Sequence, residues 1–250
     1  MGVGRIATQP EPVASIASIY RYLVKSMAGE AVTEVPLEES GLFRDRLYAF
    51  ESSGAPAGML RLAGQERRAM LAYRPALRPD GRVEVRVPSG EAMPVESPAL
   101  AACLREQSQG KSDFVLTRAL TPQTDVRPLS LISLQTVSRL SQQMGQTLDP
   151  LRFRANLYLD MPQGPFAEDR LVGHTLRIGA TAEIRLRERD PRCRFITYDP
   201  QDPLAAPLFS LMKLLDRHHE GKCGVYATVK TPGHIQVGDP VWLADESPVA

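Results

Sequence analysis

The chain has 250 residues, 43% of them hydrophobic and 24% charged, so it can bury a sizeable core; its formal net charge of +1 gives no bulk attraction to nucleic acid or a membrane surface. No apolar run approaches the roughly 20 residues of a membrane-spanning helix; residues 1–15 lack the apolar core of a secretory signal, and Ile6 stands where a myristoylation site wants serine or threonine. Three widely spaced cysteines, Cys103, Cys193 and Cys223, argue against a disulfide framework and for a reducing, cytoplasmic setting.

Residues 16–24 mix β-branched and aromatic side chains and read as a strand. Strand patterns follow at 42–51, 59–62, 69–73 and 82–87, broken by Ser52-Ser53-Gly54, Pro75, Pro79, Gly81, Pro88 and Gly90. In the last of them Val83, Val85 and Val87 share one face while Arg82, Glu84 and Arg86 share the other. The first ninety or so residues therefore read as a small β-barrel or sheet. Ser97-Pro98 gives an N-cap and a first-turn proline, ahead of Leu100, Ala101 and Leu104 on one helical face. Residues 107–127 are polar and read as a loop; Gly110-Lys111-Ser112 lacks the first glycine of a phosphate loop. A short apolar strand at 128–132 runs into Ser133 at an N-cap position, with Leu134, Val137, Leu140 and Met144 at helical spacing and Gly145 as the stop. Strands are expected at 153–160, 176–186, 193–198, 225–229 and 235–243, and an amphipathic helix at 207–220 buries Leu208, Leu211, Met212 and Leu215. About ten strands and three helices make a mostly β, or α+β, protein.

The densest basic stretch is 177–194. Arg185, Arg187 and Arg189 alternate with apolar residues and form either a solvated strand face or an anion-binding surface. Arg192 and Arg194 flank Cys193, and their charge favours the thiolate, the form that ligates a metal or attacks a sulfur donor. A lone cysteine can equally be a buried small hydrophobe, which is how Cys103 reads, whereas Cys223 reads as a loop residue. His218 and His219 diverge by roughly 100° on a helix and cannot both face one ion. Asp45-Arg46 is an ion pair or a phosphate clamp.

Several strings occur in a telling order: Tyr22-Leu23-Val24-Lys25-Ser26, then Gly41 to Arg46 ending in Asp45-Arg46, then Pro128-Leu129-Ser130-Leu131-Ile132-Ser133. Arg152-Phe153-Arg154-Ala155-Asn156, Gly173 to Gly179 and Arg192-Cys193 follow; Gly224-Val225-Tyr226-Ala227 and Gly233 to Val241 close the series. Together they resemble the MOSC family, the molybdenum cofactor sulfurase C-terminal domain with its N-terminal β-barrel partner. Leu23 and Ala155 stand where that family has proline.

The resemblance implies a small N-terminal β-barrel domain over residues 1–95, packed on a MOSC β-barrel domain with a few helices over residues 96–250. It implies molybdenum cofactor (molybdopterin) as the bound group, with Cys193 as metal ligand and catalytic residue. Lys25, Ser26, Arg46, Ser133, Arg154, Asn156 and Arg192 would hold the cofactor's phosphate and pterin. The activity implied is that of the amidoxime-reducing components and bacterial stand-alone MOSC proteins, reduction of N-hydroxylated small molecules by oxygen-atom transfer. Electrons would come from a separate ferredoxin, flavoprotein or cytochrome-type partner, since the chain shows no cluster-binding cysteine pattern. The alternative is a sulfur carrier that passes on a persulfide held at Cys193.

Overall fold

The computed structural model describes residues 11–53, 68–110, 112–124 and 126–244. The N-terminal half contains β1 (Ala14–Arg21), β2 (Glu30–Val32), β3 (Glu34–Glu38), β4 (Gly41–Leu42) and β5 (Tyr48–Ser52). It continues with the meander β6 (Arg74–Leu77), β7 (Val83–Arg86), β8 (Ala92–Pro94), then helix α1 (Pro98–Gln107) and β9 (Phe114–Arg118). The rest runs β10 (Leu129–Ser133), α2 (Leu134–Met144), β11 (Leu157–Asp160), β12 (Thr175–Ile178) and β13 (Ala182–Pro191). Helix α3 (Phe209–His219), β14 (Lys222–Thr231), β15 (Gly233–Gln236) and β16 (Pro240–Leu243) complete it. Among the described residues, no helix is long and apolar enough to cross a membrane.

Seven strands close a barrel in the order β11-β10-β14-β13-β12-β16-β1, with β1 returning to β11. The only parallel neighbours in this ring are β10 and β11, and α2 supplies the crossover that a parallel pair requires. Every other neighbour is antiparallel. Closure removes the free edges that an open sheet would expose. Strand β1 places Ala14 and Ile16 inside, then Ile19 and Arg21, because a bulge between Ile16 and Ser18 advances the alternation by one residue. The barrel interior is filled by Ile16, Ile19, Leu131, Leu157, Leu176, Ile184, Leu186, Val225 and Val241, each at most 1% exposed.

Two further cores flank the barrel. One gathers Leu23, Val24, Met27, Tyr48, Phe50, Val83, Val85, Leu100 and Leu104, so the meander, α1 and β5 pack together. The other lies under α2 and α3 and holds Ile132, Val137, Leu140, Phe153, Tyr158, Leu211 and Leu215. Ser97 caps α1 by accepting from the Ala99 N–H at 3.2 Å, and Gly145 ends α2 in the left-handed conformation at φ 65°.

The mostly β architecture agrees with the sequence, but several elements differ. The strand expected at 42–51 is two strands, with Arg44 and Arg46 at positive φ in the turn between them. Ala69 and Met70 end a helical turn instead of forming a strand. The polar stretch 107–127 contains β9, which pairs with β5 and buries Phe114. The expected strand 176–186 is the hairpin β12–β13, turned at Gly179. Residues 193–198 form a 3-10 turn (Arg194–Thr197), because Ile196 and Thr197 pack inward under α3 rather than joining a sheet. The strand expected at 59–62 lies outside the described residues.

Candidate functional site

Strand β13 ends at Pro191, and the next residues carry the thiol. The Arg192 N–H donates to Gly221 O at 2.8 Å, after which Cys193 is extended and heads the 3-10 turn. Cys193 is exposed, which overturns the alternative of a buried small hydrophobe. Arg192 turns inward: its Nε donates to Cys223 O at 2.6 Å and its Nη1 to Phe153 O at 2.8 Å. The same Nη1 lies 2.8 Å from Asp190 Oδ2, in an ion pair whose side chains are 6% and 4% exposed. Arg194 points away, its guanidinium 5.1 Å from the Phe209 ring centre. Cys223 is not a loop residue but a buried member of β14, and burial pushes its thiol well above the usual range.

One cavity collects most of the residues singled out in the sequence. Lys25, Ser26, Arg46, Arg154, Arg192 and Cys193 all line it, from segments as far apart as residues 25 and 193. Arg127, Arg152, Gln123, Thr124 and Phe195 line it too, and none of these was singled out as a site residue. Arg152 sits two residues before Arg154 in the same basic string, a spacing that could have marked it. Arg127, Gln123 and Thr124 carry no signal in their own neighbourhood. Among the described residues Asp190 is the sole acidic side chain in this lining, and the basic side chains outnumber it, which suits an anion.

The backbone that presents these groups is unusual. Ser26, Arg46 and Arg154 adopt φ of 70°, 50° and 50°, a region that side-chain-bearing residues seldom occupy. Local bonds hold them there: Met27 N–H donates to Val24 O at 3.2 Å, Arg46 N–H to Tyr22 O at 2.6 Å, and Arg154 N–H to Leu151 O at 3.2 Å. Strain concentrated on ligand-facing residues is a common property of binding sites.

Tyr22 is buried behind this wall, against Arg46 and Arg154. Its N–H donates to Asp45 Oδ1 at 2.7 Å, and Asp45, fully buried, pairs through its other oxygen with Arg46. The Arg46 and Arg154 guanidiniums lie 4.7 and 4.3 Å from the Tyr22 ring centre, and Arg154 also lies 5.0 Å from that of Phe195. Burial pulls the Arg154 guanidinium below its ordinary value, and the charge of Arg46 adds to that pull. Burial likewise raises the Tyr22 hydroxyl.

Asn156 and Ser133 do not line the cavity. The buried Asn156 Oδ1 accepts from Ser130 N–H and Oγ at 3.2 Å each and from Arg46 Nη1 at 3.4 Å, while its Nδ2 donates to Tyr20 O at 3.2 Å. It therefore ties β1, β10 and Arg46 together from behind. Ser133 is fully buried and caps α2, its Oγ accepting from Thr136 N–H at 3.1 Å. In the arginine row on β13, Arg185 donates to Thr175 Oγ1 and Arg189 pairs with Asp169 and Glu220, while Arg187 is exposed.

Comparison with known families matches residues 13–120 to the MOSC N-terminal beta barrel domain and residues 121–242 to the MOSC domain. No curated protein sequence gives a match. Among solved structures, the YUAD protein of Bacillus subtilis is similar over 91% of this chain and 93% of its own, at 15% identity and a TM-score of 0.49. YiiM of Geobacillus stearothermophilus is similar over 48% of this chain and 56% of its own, at 20% identity and a TM-score of 0.38. YiiM of Escherichia coli covers 50% and 57%, at 18% identity and a TM-score of 0.36.

Proposed function

Because the chain belongs to the MOSC family, we propose that it is a molybdenum-cofactor-binding oxidoreductase that reduces N-hydroxylated small molecules, with Cys193 as the metal's protein ligand. The family is known for molybdenum-cofactor-binding proteins. The observation that carries the reading is the shared cavity, where one exposed thiol stands among Lys25, Ser26, Arg46, Arg154 and Arg192.

The donor set fits such a group. A thiolate is a soft ligand suited to molybdenum. Among the described residues, no group of three or more histidines, cysteines or carboxylates could hold a metal ion. A metal on Cys193 would therefore have to bring its other donors with it, as a pterin dithiolene does. The Arg154 guanidinium makes no hydrogen bond or ion pair among the described residues, and Arg192 Nη2 is buried without a partner. The Arg154 donors, in the lining of the cavity, would suit an anion.

Lys25, Ser26, Arg46 and Arg154 would hold the cofactor's phosphate and pterin, and Asn156 would brace Arg46. Arg192, paired with Asp190 and bound to the Phe153 and Cys223 carbonyls, would fix the backbone that presents Cys193. When bound, the cofactor would supply two-electron oxygen-atom transfer, by which an amidoxime or hydroxylamine, with two electrons and two protons, would leave as the amidine or amine and its oxygen as water. The three cysteines are too few for a four-thiolate iron–sulfur cluster, so a separate ferredoxin, flavoprotein or cytochrome-type protein would deliver the electrons. Free cysteines suit a cytoplasmic location.

Metal analysis of protein made in a cofactor-synthesising host tests this reading. Wild type should carry stoichiometric molybdenum and Cys193→Ala should lose it, whereas full molybdenum in Cys193→Ala overturns the assignment. A stable sulfur adduct on Cys193 without molybdenum supports the sulfur-carrier reading instead.

A further inference from the structure

We propose that Tyr22 and Phe195 form an aromatic clamp that holds the Arg154 guanidinium in place for an anionic ligand without neutralising it. The inference rests on the reading of Arg154 as an anion-holding residue and assigns two further side chains, both acting as positioning residues.

A half-buried arginine often meets a carboxylate, but Asp45, whose charge acts on Arg154, is already engaged. Asp45 takes the Tyr22 N–H on one oxygen and Arg46 on the other. Arg154 is given two ring faces instead, at 4.3 Å from the Tyr22 centre and 5.0 Å from the Phe195 centre. The negative face of an aromatic ring attracts a cation but leaves the in-plane N–H groups unused. A carboxylate partner would consume those donors and cancel the charge. With the rings as partners, the charge and the donor fork both remain available in the cavity that Arg154 lines.

Both jaws are themselves fixed. Tyr22 is 1% exposed, and its hydroxyl donates to Ala155 O at 3.2 Å, directly beside Arg154 in the chain. A Cβ at Gly29 would come within 2.7 Å of the Tyr22 ring, so the ring occupies space that only glycine leaves. Phe195 sits in the 3-10 turn next to Cys193 and is held edge-on to Tyr198 at 5.7 Å between centres. The clamp thus couples the anion-holding arginine to the segment that carries the thiol. A guanidinium that is already ordered loses less side-chain freedom when ligand arrives.

Calorimetric titration of the cofactor-free full-length protein with inorganic phosphate tests the clamp. Wild type should bind phosphate, and Arg154→Ala should abolish binding. Phe195→Leu and Tyr22→Leu should each weaken it by about tenfold, while Phe195→Tyr and Tyr22→Phe, which keep the rings, should stay near wild type. Phe195 is only half-buried, so its variants remain informative if Tyr22→Leu does not fold. No phosphate uptake by wild type, or uptake untouched by Arg154→Ala, removes both the anion-holding reading and the clamp. Uptake that Arg154→Ala abolishes but Phe195→Leu leaves at the wild-type level removes the clamp alone.

Discussion

Around Cys193 the sequence and the fold contribute different things. The pairing of arginine with cysteine at 192–193 is plain in the sequence, but the inward turn of Arg192 depends on carbonyls at Phe153 and Cys223, 39 and 31 residues away along the chain. Its ion pair with Asp190 is nearly dry, at 6% and 4% exposure. Removing one partner of a buried pair strands the other charge, which costs more than the pair itself is worth. Asp190→Ala should therefore lower stability by about 3 kcal/mol in urea unfolding, and Asp190→Asn, which retains an acceptor, should lose less. Equal losses for the two variants would show that the charge of Asp190 is not what holds Arg192.

At the scale of elements, local signals located helices well and irregular segments poorly. Ser97-Pro98, Ser133 and Gly145 mark helix ends by capping chemistry that depends on near neighbours, and all three do so in the structure. Ser133→Ala should destabilise the protein by about 1 kcal/mol through loss of the α2 cap, measured by thermal or denaturant unfolding; an unchanged midpoint would deny the cap that role. By contrast, β9 carries the β-favouring run Phe114-Val115-Leu116-Thr117 inside a polar stretch, and its place is set by pairing with β5, 62 or more residues earlier in the register. The turn at 194–197 has strand-like side chains but no strand partner among the described residues. Its β-favouring residues Phe195, Ile196 and Thr197 suit a strand, yet Ile196 packs against the core beneath α3 and Phe195 against the cavity.

At the scale of the whole molecule, the first described strand is an integral stave of the barrel. Strand β1 bonds to β11 on one side and β16 on the other, and Ile16 and Ile19 are essentially inaccessible. The segment that leaves it, from Tyr22 to Met27, delivers Lys25 and Ser26 to the cavity and sets Tyr22 against Arg154, while Leu23 and Val24 anchor the neighbouring core. A chain lacking residues 1–21 should open the barrel and expose two strand edges. Loss of a cooperative thermal transition and binding of a hydrophobic dye are the expected results. A cooperative transition near that of the intact chain would mean that the ring closes without β1.

The sequence by itself determined the mostly β composition, the capped helices and six of the cavity's side chains, because caps, alternation and short basic strings are local or compositional properties. Their order along the chain also carried the family resemblance. Only the tertiary structure decided that Lys25, Ser26, Arg46, Arg154, Arg192 and Cys193 share one cavity, while Ser133 caps a helix and Asn156 braces from behind. It also set Arg154 between Tyr22 and Phe195, residues 132 and 41 positions from it, through ring closure and packing that no local pattern encodes.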